Sequence, residues 1–115
     1  VEGAVAHYQA TGKRTFLDVA IKYADCVEKA IGDKPGQLVR VPGHQIAEMA
    51  LCKLYLVTGQ KKYLDLAKFF LDKRGYTERK DAYSQAHKPV LEQDEAVGHA
   101  VRAAYMYSGM ADVAA

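Results

Sequence analysis

The chain repeats itself, and this constrains its fold more than any other feature. ATGKRTFLDVAIKYAD, residues 10 to 25, aligns without a gap with VTGQKKYLDLAKFFLD, residues 57 to 72. Thr11 and Thr58, Gly12 and Gly59, Leu17 and Leu64, Asp18 and Asp65, Ala20 and Ala67, and Asp25 and Asp72 are identical pairs at a separation of 47. Tyr8 and Tyr55 keep the same offset before the glycine, and a shorter third copy, YMYSGMADVA, puts Tyr105 and Gly109 in the matching places. Apolar periodicity is helical nearly throughout, with no sustained strand-like alternation. Each copy therefore predicts a helix, a glycine-terminated turn and a second helix. The expectation is an all-α chain, with residues 1–115 forming one domain of three helical hairpins, the last incomplete.

The two helices of a hairpin differ. Thr15, Asp18, Lys22, Asp25 and Lys29 recur every three or four positions in copy one, and Lys61, Asp65, Lys68 and Asp72 do so in copy two. One solvated stripe on an apolar cylinder marks an outer helix. IAEMALCKLYLV, broken only by Glu48 and Lys53, is apolar almost all round and reads as an inner helix. Stacked hairpins of this kind make either an open solenoid or a closed α/α toroid, and the period alone does not choose between them. Two connections are longer than usual for helices. They are GDKPGQLVRVPG (32–43) and RGYTERKDAYSQAHKPV (74–90), and both lead into the amino end of an inner helix. Long loops at one rim of a helical scaffold are where sites tend to be built.

Charge and composition remove several function classes. Sixteen basic residues against fourteen acidic, with no basic stripe, argue against nucleic acid as a partner. No apolar run is long enough for a membrane span, and VEGAVAHYQA carries neither an initiator Met nor a signal-peptide pattern, so the chain reads as a piece of a longer one. Cys26 and Cys52 lack the close paired spacing of a zinc or redox site and are expected to be buried free thiols. No GxSxG, HExxH or phosphate-binding glycine loop is present.

What remains is a set of polar residues where the scaffold calls for apolar ones. His44 follows Pro42 and Gly43 at the start of the second inner helix, with Glu48 one turn on. Free amide groups at such a helix end suit oxygen-rich ligands, although the histidine could equally serve the helix end itself. In the third copy, Glu95, His99 and Arg102 fall four and three apart, which predicts a carboxylate, an imidazole and a guanidinium on one face of one helix. Gly98, costly within a helix by about 1 kcal/mol relative to alanine, would permit close approach of a helix or ligand. His87 lies on the preceding loop. His7, near a turn, reads as solvated or structural, and the tyrosines and phenylalanines read as packing. Glu48 and Glu95 are two carboxylates on inner helices, the minimum for acid and base work on a glycosidic bond.

GHQIAEMALCKLYLVTGQKKYLDLAKFFLDKRG followed by YSQAHKPVLEQDEAVGHAVRAAYMYSGMADVA closely resembles the β-L-arabinofuranosidase-type enzymes of glycoside hydrolase family 127, and EGAVAHYQATGKRTFLDVAIKYAD is similar to the family's preceding hairpin. The resemblance implies part of an (α/α)6 barrel from a soluble bacterial carbohydrate-active enzyme, of the cytoplasm or periplasm, that removes terminal L-arabinofuranose with retention. It further implies a zinc-held cysteine thiolate as nucleophile and a glutamate as general acid/base, both later in the family's sequence than Gly98 and His99. No catalytic residue, metal ligand or cofactor is thus expected within these residues, and zinc is expected in the full-length parent. His44 and His99 match family histidines that bind sugar hydroxyls, with Glu48, His87, Glu95 and Arg102 in supporting places. Cys26 and Cys52 do not match the zinc-binding cysteines. The expected partner is a carbohydrate, with no nucleic acid or membrane, and exposed apolar helix faces would favour self-association. A helical-repeat protein-interaction scaffold, or another α/α-toroid sugar enzyme such as an epimerase or lyase, remains open beside this reading.

Overall fold

A computed structural model describes residues 1–76 and 81–115; residues 77–80, part of the second long connection, lie outside the described residues. Among the described residues five α-helices run in order: α1 (Glu2–Thr11), α2 (Thr15–Ala30), α3 (Ile46–Thr58), α4 (Lys61–Lys73) and α5 (Ala100–Ala114). Among the described residues of the last connection there is one 3-10 turn (Val90–Glu92). Among the described residues there is no strand, only one isolated bridge between Ile31 and Leu38.

The repeated sequence builds the same turn twice. Gly12 and Gly59 end α1 and α3 in the left-handed region, at φ 69° and 68°, where glycine carries no Cβ penalty. Their amides donate to Tyr8 O and Tyr55 O. The preceding Thr11 and Thr58 hydroxyls donate back to the carbonyls of His7 and Leu54, and accept from the amides of Lys13 and Gln60. Each threonine thus adds a second bond to a carbonyl inside the last helical turn and gives a partner to the amide just beyond the glycine.

The helices form two layers, which matches the 21 Å short dimension of the molecule at about 10 Å per helix. α3 is central, packed against α1 on one side and α5 on the other, with α4 behind it and α2 behind α1. The inner and outer assignments hold: Lys61, Asp65, Lys68 and Asp72 are exposed, whereas Ala50, Leu51, Cys52 and Leu54 of α3 are buried. The core gathers Val5, Leu17, Ala24, Leu51, Leu54, Tyr63, Leu66, Ala67 and Phe70. Each large aliphatic side chain so buried contributes roughly 2 kcal/mol. Asp25 ties the outer helices together by accepting from Tyr63 Oη at 2.6 Å and pairing with Lys62 at 2.8 Å. Glu2 and Lys53 pair α1 with α3 at 2.5 Å.

Two expectations fail here. The third copy is not a hairpin turn, because α5 runs straight through Gly109 to Ala114. A Cβ at Gly109 would lie 2.9 Å from Glu48 Cβ, so this glycine serves the close crossing of α5 on α3. Of the two thiols, both are free, but only Cys52 is buried; Cys26 is exposed on α2 because it falls next to the solvated stripe.

Candidate functional site

The last residues of the first long connection, Pro42 and Gly43, and residues 82–99 of the second meet at the amino ends of α3 and α5. The helix expected to carry Glu95, His99 and Arg102 begins only at Ala100, with His99 as its N-cap. The reason is Gly98, which adopts φ 81° rather than a helical value. A Cβ there would sit 1.9 Å from Ala82 O and 2.7 Å from Tyr83 O. The close approach that this glycine permits is therefore to the loop backbone. Glu95 is exposed in the connection and lines an open cavity of about 270 Å³ with Val90, Met106, Tyr107 and Met110. It shares no helix face with His99 and Arg102.

His44 likewise lies just outside α3, whose N-cap is Gln45. The two histidines play the same local part. His44 Nδ1 accepts from the amide of Ile46 at 3.2 Å, and His99 Nδ1 accepts from the amide of Arg102 at 3.3 Å. An Nδ1 that accepts has no proton, so in each neutral ring the proton is on Nε2. Two helix starts thereby each carry a half-buried imidazole whose Nε2–H is not the atom spent on the helix amide.

Contacts join these two helix starts into one cluster. His99 packs on Tyr83, with ring centroids 5.2 Å apart, and His44 meets Tyr105 edge-on, also at 5.2 Å. Arg102 lies with its guanidinium carbon 4.8 Å from the centre of the Tyr83 ring and donates to Gly43 O at 3.2 Å. His44, Tyr83, His99, Arg102 and Tyr105 thus form one aromatic and cationic surface. The histidines and Arg102 stand out in the sequence, whereas the tyrosines read there as packing. Tyr83 is half exposed, and its only sequence signal is its place on a long loop.

Beneath that surface is a buried polar layer. Arg74, 1 % exposed, donates from Nη1 to Ser84 O at 3.0 Å and from Nη2 to Pro42 O at 2.7 Å. Glu48 is fully buried, 3.8 Å from the Arg74 guanidinium. Burial raises its carboxyl above the usual range, against the pull of Arg74. Glu48 therefore does not share the outer face with His44, and with Glu95 on a different surface the two carboxylates are not an acid and base pair. His87 is half-buried with an enclosed Nδ1, and none of its described contacts joins it to the cluster. His7 is exposed, its ring edge-on to Phe16 with centroids 6.0 Å apart.

The residues present do not fit a zinc-thiolate site. Among the described residues no three of His, Cys, Asp and Glu converge as metal ligands. The thiol of Cys52 is pushed up to about 11 by burial, the opposite of a metal-bound thiolate. No helix among the described residues is long and apolar enough to cross a membrane.

A family model described as the GH127 catalytic domain of β-L-arabinofuranosidase matches residues 1–115. A non-reducing end β-L-arabinofuranosidase from Bifidobacterium longum subsp. longum is 38 % identical over 98 % of this chain and 20 % of its own. A solved GH127 β-arabinofuranosidase superposes with a TM-score of 0.96 at 81 % identity, over 97 % of this chain and 18 % of that one. A GH127 β-L-arabinofuranosidase from Geobacillus stearothermophilus T6 gives 0.92 at 46 % identity, over 96 % and 20 %. The chain spans about a fifth of the length of these relatives.

Proposed function

Because the chain belongs to the GH127 β-L-arabinofuranosidase catalytic-domain family, we propose that it is a segment of the (α/α)6 barrel of a glycoside hydrolase that removes terminal L-arabinofuranose with retention. In this reading the segment's part is binding: His44 and His99 donate from Nε2 to hydroxyls of the sugar. Chemistry at the anomeric carbon, including any zinc-held thiolate and the general acid, belongs to residues outside these 115, and the two helix pairs with α5 form part of the barrel wall.

One observation carries the reading. Both imidazoles spend Nδ1 on a helix amide, which leaves each a donor of fixed tautomer on the same surface. Donors of fixed direction discriminate a hydroxyl from its absence far better than apolar walls do. Tyr83 and Arg102 add a ring face and a cation between them, a lining suited to a polyhydroxylated ligand. Exposed apolar side chains such as Leu56 and Leu91 lie elsewhere and give the isolated segment a means of self-association.

The test is steady-state hydrolysis of an aryl β-L-arabinofuranoside by the full-length protein carrying this segment. His44→Ala and His99→Ala should each lower kcat/KM by about 10- to 100-fold while leaving the melting temperature within a few degrees. Values within twofold of wild type for both would overturn the sugar-binding role and return a protein-interaction scaffold to first place.

A further inference from the structure

The geometry points to Gln45 and Gln85 as a positioning pair that sets the spacing and tautomer of the His44 and His99 imidazoles, an inference that rests on the sugar-binding reading of those histidines. Both glutamines are fully buried. Gln45 adjoins His44 and caps α3. Its Nε2 donates to Gln85 Oε1 at 2.5 Å and to Ser84 O at 2.6 Å. Gln85 Nε2 in turn donates to the carbonyls of Val97 at 2.9 Å, His99 at 3.2 Å and Tyr83 at 3.2 Å. His99 is gripped on its other side as well, since its own amide donates to Tyr83 O at 2.9 Å. Two side chains therefore span the whole distance from the residue beside His44 to the backbone of His99.

The polarity of this chain is fixed. The three carbonyls can only accept, so Gln85 must turn its NH2 to them and its Oε1 to Gln45. Gln45 must then turn its NH2 to Gln85, where Ser84 O takes its second proton. Neither amide can flip without setting like groups against each other. The arrangement also carries costs that packing alone does not require. Gln85 holds a positive φ of 57°, which side chains other than glycine, asparagine or aspartate rarely adopt. Gln45 Oε1 is buried without a partner among the described residues. A methionine at position 85 would fill the volume but would take from the Val97 carbonyl its amide donor and from the Tyr83 and His99 carbonyls a second bond beside those from the His99 and Ala103 amides, loosening the hold on His99. The pair's role is thus direction, transmitted from one histidine-bearing helix start to the other.

The experiment uses the full-length protein with 15N-labelled histidine, in Gln45→Met and Gln85→Met variants. Long-range ring spectra and the KM for an aryl β-L-arabinofuranoside are read together, with His44→Ala and His99→Ala as assignments and controls. Wild type should show both rings protonated at Nε2. In Gln85→Met the His99 ring should shift toward a mixture of tautomers, and KM should rise about tenfold with kcat nearly unchanged, as loss of uniform binding requires. Gln45→Met, which keeps the carbonyl contacts of Gln85, should do the same more mildly and carries the test if Gln85→Met does not fold. Wild-type ring spectra or wild-type KM in the variants would overturn the proposal. The alanine controls say which idea has failed: if they too have normal KM, sugar binding by the histidines falls first, whereas a raised KM there beside unaltered methionine variants removes only the positioning role.

Discussion

The first two hairpins and the connection at 81–99 are held together by different physics. In the hairpins, burial is apolar and periodic: Val5, Leu17, Leu54, Tyr63 and Phe70 recur at helical spacing and meet in one core. In the connection, the fully buried side chains are Ser84 and Gln85, resting on Gln45 and Arg74, and Ala86 is the one buried apolar residue. A core of aliphatic groups tolerates small shifts at modest cost. Hydrogen bonds among enclosed amides and a guanidinium do not, because each lost partner leaves a desolvated group behind. The scaffold is therefore the forgiving part of the molecule, and the layer beneath the histidines is the exacting one.

Glycine substitutions offer the sharpest way to break that contrast. Gly98→Ala must combine a left-handed backbone with a Cβ that meets Ala82 O, and should cost about 3 kcal/mol or more by chemical denaturation. Gly59→Ala, at a similar φ but with nothing within 4 Å of the added carbon, should cost only about 1 kcal/mol. Equal losses would mean that the connection is no more exacting than the hairpin turn.

Two carboxyls sharpen the comparison by responding to pH in opposite directions. Glu48, in the polar layer, has a folded value raised by burial, so its contribution is fully present below its unfolded value and is lost as pH rises through the folded one. Stability of wild type relative to Glu48→Gln should thus be greatest in acid and decline as pH rises through the raised value. Asp25, between the outer helices, is lowered by its hydrogen bonds from Lys62 and Tyr63. Its contribution is present at neutral pH and is lost as pH falls through the lowered value. Asp25→Asn should cost at most about 1 kcal/mol at pH 7, as suits a partly solvated pair, with the difference vanishing in acid. Urea titrations of the two variants between pH 3 and 8 would separate the slopes; parallel curves would refute the assignment.

Helix order, inner and outer layers and the duplicated Thr-Gly turn were legible in the sequence because each repeats at the spacing that its contacts use. The site was legible only in part. His44 and His99 stood out, but the periodicity that grouped Glu95 with His99 and Arg102 assumed a helix that Gly98 ends. What ends it is a carbonyl at residue 82, which no local pattern announces. Gly109 misled in the opposite sense. Its spacing from Tyr105 copies the turn at Gly59, yet contact with Glu48 keeps it helical, so a tertiary crossing outweighed a local signal. Gln45, Arg74 and Gln85 were invisible for the same reason: a polar residue announces its partners only once the chain has brought them together.

The twin Thr-Gly turns have a practical consequence. Gly59 lies at the far end of α3 from His44, about 20 Å away for a helix of 13 residues, exposed and with open space around it. A fluorophore or a surface tether joined there would report on or immobilise the protein from the rim opposite the two histidines, leaving that face unobstructed for measurement.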